Sequence, residues 1–198
     1  ILREDDPVRT LLMAVFFSII LRVSYQDSDT RYDRKLRSVA AKDVDLVFRS
    51  RLIDTIARIP DAMIKGRGAV DVVQADARSV PFIRTGSVSL IVTSPPYLNA
   101  YDYHKYHRQR LHWIGGDESV QFARDYEIGS HDEFTRNNVT PDAYFTDMNA
   151  CFSEWARVLN VGGRCLIVIG DAIVSKRSVF VGDQFIDMLA ENGLYEER

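Results

Sequence analysis

At 198 residues, 46% hydrophobic and 27% charged, the chain is long enough for one substantial core and has no compositional bias toward disorder. Twenty-five Lys and Arg against 28 Asp and Glu leave a net charge of −3, which excludes a global basic field, so any polyanion must be met by a local patch. The two cysteines, Cys151 and Cys165, lack metal-ligand spacing and sit in apolar segments, as expected of reduced thiols in a cytoplasmic protein. The most apolar run, Leu11 to Leu21, is interrupted by Ser18 and bounded by Arg9 and Arg22; it is too short to span a bilayer, so no membrane partner is expected. Glu4, Asp5 and Asp6 stand where a signal peptide would be basic, and the opening Ile suggests a processed or truncated fragment.

Asp6-Pro7 starts a helix: a capping Asp, then Pro at the first helical position. It is apolar nearly all round through Leu21 and should be buried on most sides. The polar, turn-rich stretch 24–35 reads as a loop. A second helix over about Lys42 to Ile59 carries Val44, Phe48, Leu52 and Ile56 on one face and Arg49, Arg51 and Arg58 on the other. Gly66 and Gly68 precede a strand at Ala69 to Gln74, which ends in Asp76-Ala77-Arg78. Val88 to Val92 is β-branched or apolar and reads as a strand buried on both faces, stopped by Pro95 and Pro96. Tyr101 to Trp113 is predicted helical and closed by Gly115-Gly116. Residues 117–140 are polar, a candidate substrate-contacting insertion. Thr140-Pro141-Asp142 starts another helix, Gly162-Gly163 ends it, and 164–170 is a third buried strand ending in Asp171. A last helix over about Gly182 to Glu191 stops at Asn192-Gly193, and Leu194-Tyr195 begins a final strand. Strands alternating with helices predict a doubly wound α/β domain.

Three strands thus end in polar residues, Asp76, Ser94 and Asp171, which a parallel sheet would gather along one rim. Asp after a strand is also ordinary turn chemistry. Ser94-Pro95-Pro96-Tyr97 is more specific. Its bend can aim the Ser94 hydroxyl and the Pro95 carbonyl at one spot while Tyr97 offers a flat face, which suits a planar ring bearing an exocyclic NH₂. Two acceptors that take both hydrogens discourage conjugation of the nitrogen lone pair with the ring, making the nitrogen nucleophilic. His104 and His107 have helical i, i+3 spacing, but no carboxylate or Cys completes a metal site. With Tyr103, Lys105, Tyr106, Arg108 and Arg110 they read as a basic-aromatic surface, although a solvated helix face explains the same residues. Arg31 and Tyr32, with Arg34, Lys35 and Arg37, form a second basic cluster.

Thr93-Ser94-Pro95-Pro96-Tyr97, with the turn at Asp76 to Arg78 and Arg157 to Asp171 (RVLNVGGRCLIVIGD), resembles the amino-methyltransferases of DNA, which carry an (Asp/Asn/Ser)-Pro-Pro-Tyr motif. The resemblance spans roughly residues 69–193. Ser in the first position is similar to the branch acting on cytosine N4, whereas the adenine-N6 branch more often has Asp. It implies a Rossmann-like, S-adenosylmethionine-dependent methyltransferase fold with a helical lead-in over 1–68 and the catalytic part over 69–198. It also implies that Ser94 and the Pro95 carbonyl hold the target amine, that Pro96 fixes the bend, and that Tyr97 stacks on the flipped base of a DNA partner. Asp76, Ala77, Thr93 and Asp171 fall to the cofactor side, and Arg31, Tyr32, Tyr103, His104, His107 and Arg108 to nucleic acid; no metal is implied. Alternatives are an adenine-N6 or RNA base methyltransferase, or a catalytically silent DNA-binding subunit.

One part of that pattern is missing. The glycine-rich turn expected after a first strand is absent, because Gly115-Gly116 follows a helical segment and Gly162-Gly163 precedes a strand. In the family's sheet order the strand ending at Asp76 is the third and the Ser94 strand the fourth, with two strands between them that this sequence does not supply. The fold is therefore expected to be incomplete in its first two strands and its glycine loop, which an upstream segment or a second chain would provide; a permuted order is the alternative.

Overall fold

The computed structural model describes residues 6–28, 31–34, 36, 38–59, 69–131 and 140–197, the stretch 26–34 by its backbone alone. The chain is mixed α/β and divides into two units, Ile1–Val72 with His104–Gln121, and Val73–Tyr103 with Phe122–Arg198. The first boundary lies close to the one read from sequence at 68, but residues 104–121 group with the amino-terminal segment.

In the first unit α1 (Pro7–Val23) starts as its sequence dictates: Pro7 is at the first turn and Asp6 Oδ1 accepts the Val8 amide at 2.8 Å. It buries Val15, Ile19 and Ile20. Helix α2 (Ala41–Arg58) is opened by Asp43, whose carboxylate accepts the Ala40 amide at 3.0 Å. Arg51, assigned by its charge to the outer face, is half-buried instead and donates to Ser18 Oγ at 3.1 Å; the long aliphatic stem lets a guanidinium reach over an apolar seam. Stretch 24–35 is not a loop throughout, because β1 (Gln26–Ser28) and β2 (Arg31–Arg34) pair antiparallel. A two-stranded ribbon needs only backbone partners, so a polar sequence without hydrophobic alternation gave no sign of it. Gly66, Gly68 and residues 29–30 lie outside the described residues.

Residues 69–74 form no strand. They are irregular and solvated, with Val70 83% and Val72 93% exposed, since β-branched residues make a strand only where a neighbour supplies a ladder. Short α3 (Tyr103–Tyr106) leads to α4 (Arg108–Tyr126), where the glycines expected to close the helix only break it: Gly116 lies at φ 68° and the helix resumes. Before the break, Arg110 Nε donates to the Phe17 carbonyl at 3.0 Å and Trp113 meets Phe16 edge-on at 5.2 Å.

The second unit is built on β3 (Val88–Thr93) and β4 (Leu159–Ile167), which run parallel with Ile91 opposite Cys165 and Thr93 opposite Ile167. Parallel partners share a face. Ile91, Thr93, Cys165 and Ile167 are half-buried, but Leu90, Val92 and Leu166 on the other face are 56%, 65% and 58% exposed. The expectation of strands buried on both faces is thus corrected: the apolar runs permit two covering layers, and the described residues supply one. That layer consists of α5 (Pro141–Val158) and α6 (Val181–Glu191), with Leu98, Tyr144, Met148, Cys151, Phe152, Val174, Val181 and Phe185 forming the core. The helix before β4 ends at Val158 without a glycine cap, and β4 runs through Gly162-Gly163 instead. Register slips there, and Gly162 takes φ 79° in the bulge. Helix α6 does end on glycine: Gly193 at φ 81° lets the Leu194 amide reach the Leu189 carbonyl and the Gly193 amide that of Ala190. Leu194-Tyr195 forms no strand. An antiparallel hairpin, β5 (Ala172–Val174) and β6 (Arg177–Val179), turns on Ser175 and Lys176, both left-handed, without the Asn-Gly that marks such turns in sequence. No helix among the described residues is long and apolar enough to cross a membrane.

Phe152, fully buried and edge-on to Phe185 at 4.8 Å, is the centre of this layer. Phe152→Ala is expected to cost about 3–5 kcal/mol in urea unfolding, whereas Val92→Thr on the bare face should stay within about 0.5 kcal/mol.

Candidate functional site

The carboxyl ends of β3 and β4 are adjacent, and beyond them the chains continue side by side. The Val168 amide donates to the Thr93 carbonyl at 3.0 Å, and the exposed Ser94 hydroxyl donates to the Val168 carbonyl at 3.0 Å. A serine hydroxyl has one proton and two lone pairs, so with its proton given to Val168 it faces the rim as an acceptor. Among the described residues no donor engages the carbonyl of Pro95, the next residue, which is buried. The Pro96 carbonyl accepts the Tyr144 hydroxyl at 2.8 Å.

Tyr97 is half-buried beside Gly170 and begins a row of rings: its centroid lies 6.4 Å from that of Tyr101, which lies 5.7 Å from that of Tyr103. Successive rings are tilted by 48° and 47°, so each presents its own face. Sequence reasoning named Tyr97 and Tyr103 and missed Tyr101. It also missed the segment that holds the loop. The Asn99 amide donates to the Gly129 carbonyl at 3.1 Å, its side-chain amide to the Ile173 carbonyl at 2.9 Å, and its Oδ1 lies 2.8 Å from His131 Nδ1. The Tyr103 amide donates to Glu127, and the His131 amide to the Tyr101 carbonyl at 3.3 Å. Asn99 is left-handed at φ 54°, a conformation that Asn tolerates better than most residues. Part of the polar stretch 117–140 is therefore the brace of the loop, while residues 132–139 lie outside the described residues.

Of the residues expected on the cofactor side, Asp76 and Asp171 have side-chain partners within the protein. Both Asp76 oxygens accept from Arg78, which holds the carboxyl below its ordinary value, and Arg78 also donates to Asp147 of α5 at 2.7 Å. Asp171 Oδ1 accepts the Val181 amide at 3.0 Å, at the start of α6, and Ala77 is exposed in a turn. Thr93 contributes its carbonyl to the strand-end pairing already described. No strand followed by a glycine-rich turn occurs among the described residues. Further along α5, Glu154 accepts the Val80 amide at 2.7 Å, and Arg157 donates to Glu154 and to the carbonyls of Val80 and Ile83.

Of the residues expected to face nucleic acid, Tyr103 is exposed in the second unit. His104 is buried, at 6% exposure, and so does not present an outer surface. His107 is exposed, with Nδ1 3.0 Å from Arg110 Nη1, and Arg108 is exposed at the start of α4; these three belong to the first unit. Arg31 and Tyr32 lie on β2, where only the backbone is described. No group of three His, Cys, Asp or Glu among the described residues is placed to hold a metal. A groove of about 1180 Å³ opens beside β4, lined by Leu159, Gly163, Cys165, Leu189 and Tyr195 among others, and does not include the Ser94–Tyr97 rim.

No protein family, curated protein or solved structure matches this chain.

The ion pair on α5 predicts an acid response. Arg157, with help from the Val80 amide, holds the Glu154 carboxyl from its ordinary 4.5 down to about 2. A depressed carboxylate stabilises the fold fully above its unfolded value, and that contribution is lost as pH falls through the folded one. Urea unfolding measured from pH 6 to 2 should therefore show stability falling below about pH 4.5, with a shallower fall in Glu154→Gln. Equal acid slopes in the two proteins would contradict the assignment.

Proposed function

We propose that this chain carries the base-binding half of a DNA amino-methyltransferase, acting on the exocyclic N4 amine of cytosine within a Rossmann-like fold. The observation that carries the proposal is the Ser94 hydroxyl. Its proton is committed to the Val168 carbonyl, so its oxygen accepts at the end of a parallel strand, next to a Pro95 carbonyl that no donor engages among the described residues and beside the Tyr97 ring. An amine with two hydrogens suits two acceptors. Held by both, its lone pair is turned out of conjugation with the base and becomes the nucleophile, without a strong base to remove a proton first. The base leaves the stack to reach the rim, and Tyr97, extended by Tyr101 and Tyr103, receives its face. The rim's carbonyls and hydroxyl read an amine rather than a base identity. Serine at the first position, by resemblance, favours cytosine over adenine.

The described residues do not make a complete cradle for S-adenosylmethionine: Asp76 is paired with Arg78, one oxygen of Asp171 accepts an amide at the start of α6, and no strand among them leads into a glycine-rich turn. The methyl donor therefore requires residues beyond those described, from a further segment or a second chain, which would also cover the bare face of β3 and β4. The same facts favour a second reading, a catalytically silent DNA-binding subunit. Calorimetry separates the two. DNA binding without any S-adenosylmethionine binding, with every partner chain present, supports the silent subunit.

In the protein as its gene encodes it, Ser94→Ala and Tyr97→Ala should each reduce methyl transfer to DNA by about a hundredfold or more while leaving the melting temperature within a few degrees, because neither side chain is buried. Wild-type rates in both variants would contradict the site.

A further inference from the structure

We infer that Tyr144 is a positioning residue, which aims the base-binding loop through a single hydroxyl; this rests on the function proposed above. Tyr144 is 1% exposed on α5, and its ring packs among Phe145 and Phe185. A buried phenol normally finds a partner for its O–H. Here the partner is the carbonyl of Pro96, at 2.8 Å, in the middle of the motif. Pro95 and Pro96 have no amide protons, so these two residues cannot be fastened by donating to a neighbour. Hydrogen bonds can hold them only through their carbonyls. Among the described residues, Tyr144 supplies the one hydrogen bond to the Pro96 carbonyl.

The same ring sets the other end of the loop. Gly129 lies against it: a Cβ at that position would stand 2.6 Å from Tyr144 Cδ2, and Gly129 is left-handed at φ 72°. Only glycine satisfies both conditions. The Gly129 carbonyl in turn accepts the Asn99 amide at 3.1 Å. Tyr97 thus sits between two anchors, Pro96 and Asn99. Both are referred to Tyr144, one through its hydroxyl and one through the Cδ2–Cε2 edge of its ring. Between them the Ala100 amide closes a turn on the Tyr97 carbonyl at 3.2 Å. With the Pro96 carbonyl fixed, rotation of the preceding peptide, which carries the Pro95 carbonyl, is restricted too. Tyr144 touches neither base nor methyl donor in this arrangement; it acts through the loop.

Tyr144→Phe removes the hydroxyl and keeps the ring against Gly129, so the core packing is preserved. Two measurements on the protein as its gene encodes it test the role, using unmethylated genomic DNA as substrate. Amide hydrogen exchange should quicken across residues 97–100 and stay unchanged in the body of α5. Methyl transfer should lose between about tenfold and a hundredfold in kcat, with KM for S-adenosylmethionine unchanged, as expected when a reacting group is misplaced by a fraction of an ångström to one ångström. Unchanged exchange would overturn the clamp. Quicker exchange with wild-type kcat would overturn the positioning role while leaving the function intact. A wild-type protein that transfers no methyl group would overturn the function and, with it, the role, even where the exchange result holds.

Discussion

The hydrogen bond from the Ser94 hydroxyl to the Val168 carbonyl joins two things that the sequence keeps 74 residues apart. It extends the pairing of β3 and β4 by one step past the point where proline stops the ladder, so the chain beyond β3 is still registered on the chain beyond β4. It also decides the chemistry of the serine. A hydroxyl free in solvent can donate or accept; one whose proton is held by a carbonyl presents only lone pairs. The acceptor character of Ser94 is therefore a consequence of strand register.

Helix α5 makes that register possible. Its apolar stripe, Met148, Cys151, Phe152 and Val158, packs in the core beneath the sheet, while Tyr144, Asp147, Glu154 and Arg157 reach out to chain that has no regular structure of its own. Residues 76–86 are held by a carboxylate and a guanidinium one turn apart, Glu154 and Arg157. The motif loop is held by a phenol. Segments without ladders must satisfy their backbone groups with side chains, and here one helix provides those for Val80, Ile83 and Pro96.

The elements that depend on local chemistry were legible in the sequence. Asp6-Pro7, Thr140-Pro141 and Asn192-Gly193 mark helix ends that the structure has, and the run stopped at Pro95 is a strand. What failed depended on partners. Residues 69–74 carry strand composition but have no ladder, and Arg51 is charged but lies inward against Ser18. Ser175-Lys176 turns a hairpin without the Asn-Gly pair that marks such turns. At the site, the motif from Ser94 to Tyr97 stood out because double proline after an apolar run is rare chemistry. The braces Asn99, Gly129, His131 and Tyr144 did not, because an ordinary Asn or Tyr acquires its role only from what the fold sets 30 to 50 residues away. Asp76 and Asp171 look available in sequence, and the fold gives each an internal partner: Arg78 for Asp76 and the Val181 amide for one oxygen of Asp171.

The central claim is that the rim receives the amine of a base. The most direct measurement is to incubate the protein, as its gene encodes it, with unmethylated genomic DNA and S-adenosylmethionine labelled in the methyl group, digest the DNA to nucleosides, and locate the label by mass spectrometry. Label is expected on the exocyclic nitrogen of cytosine. Label on a ring carbon, or on no nucleoside at all, would contradict it.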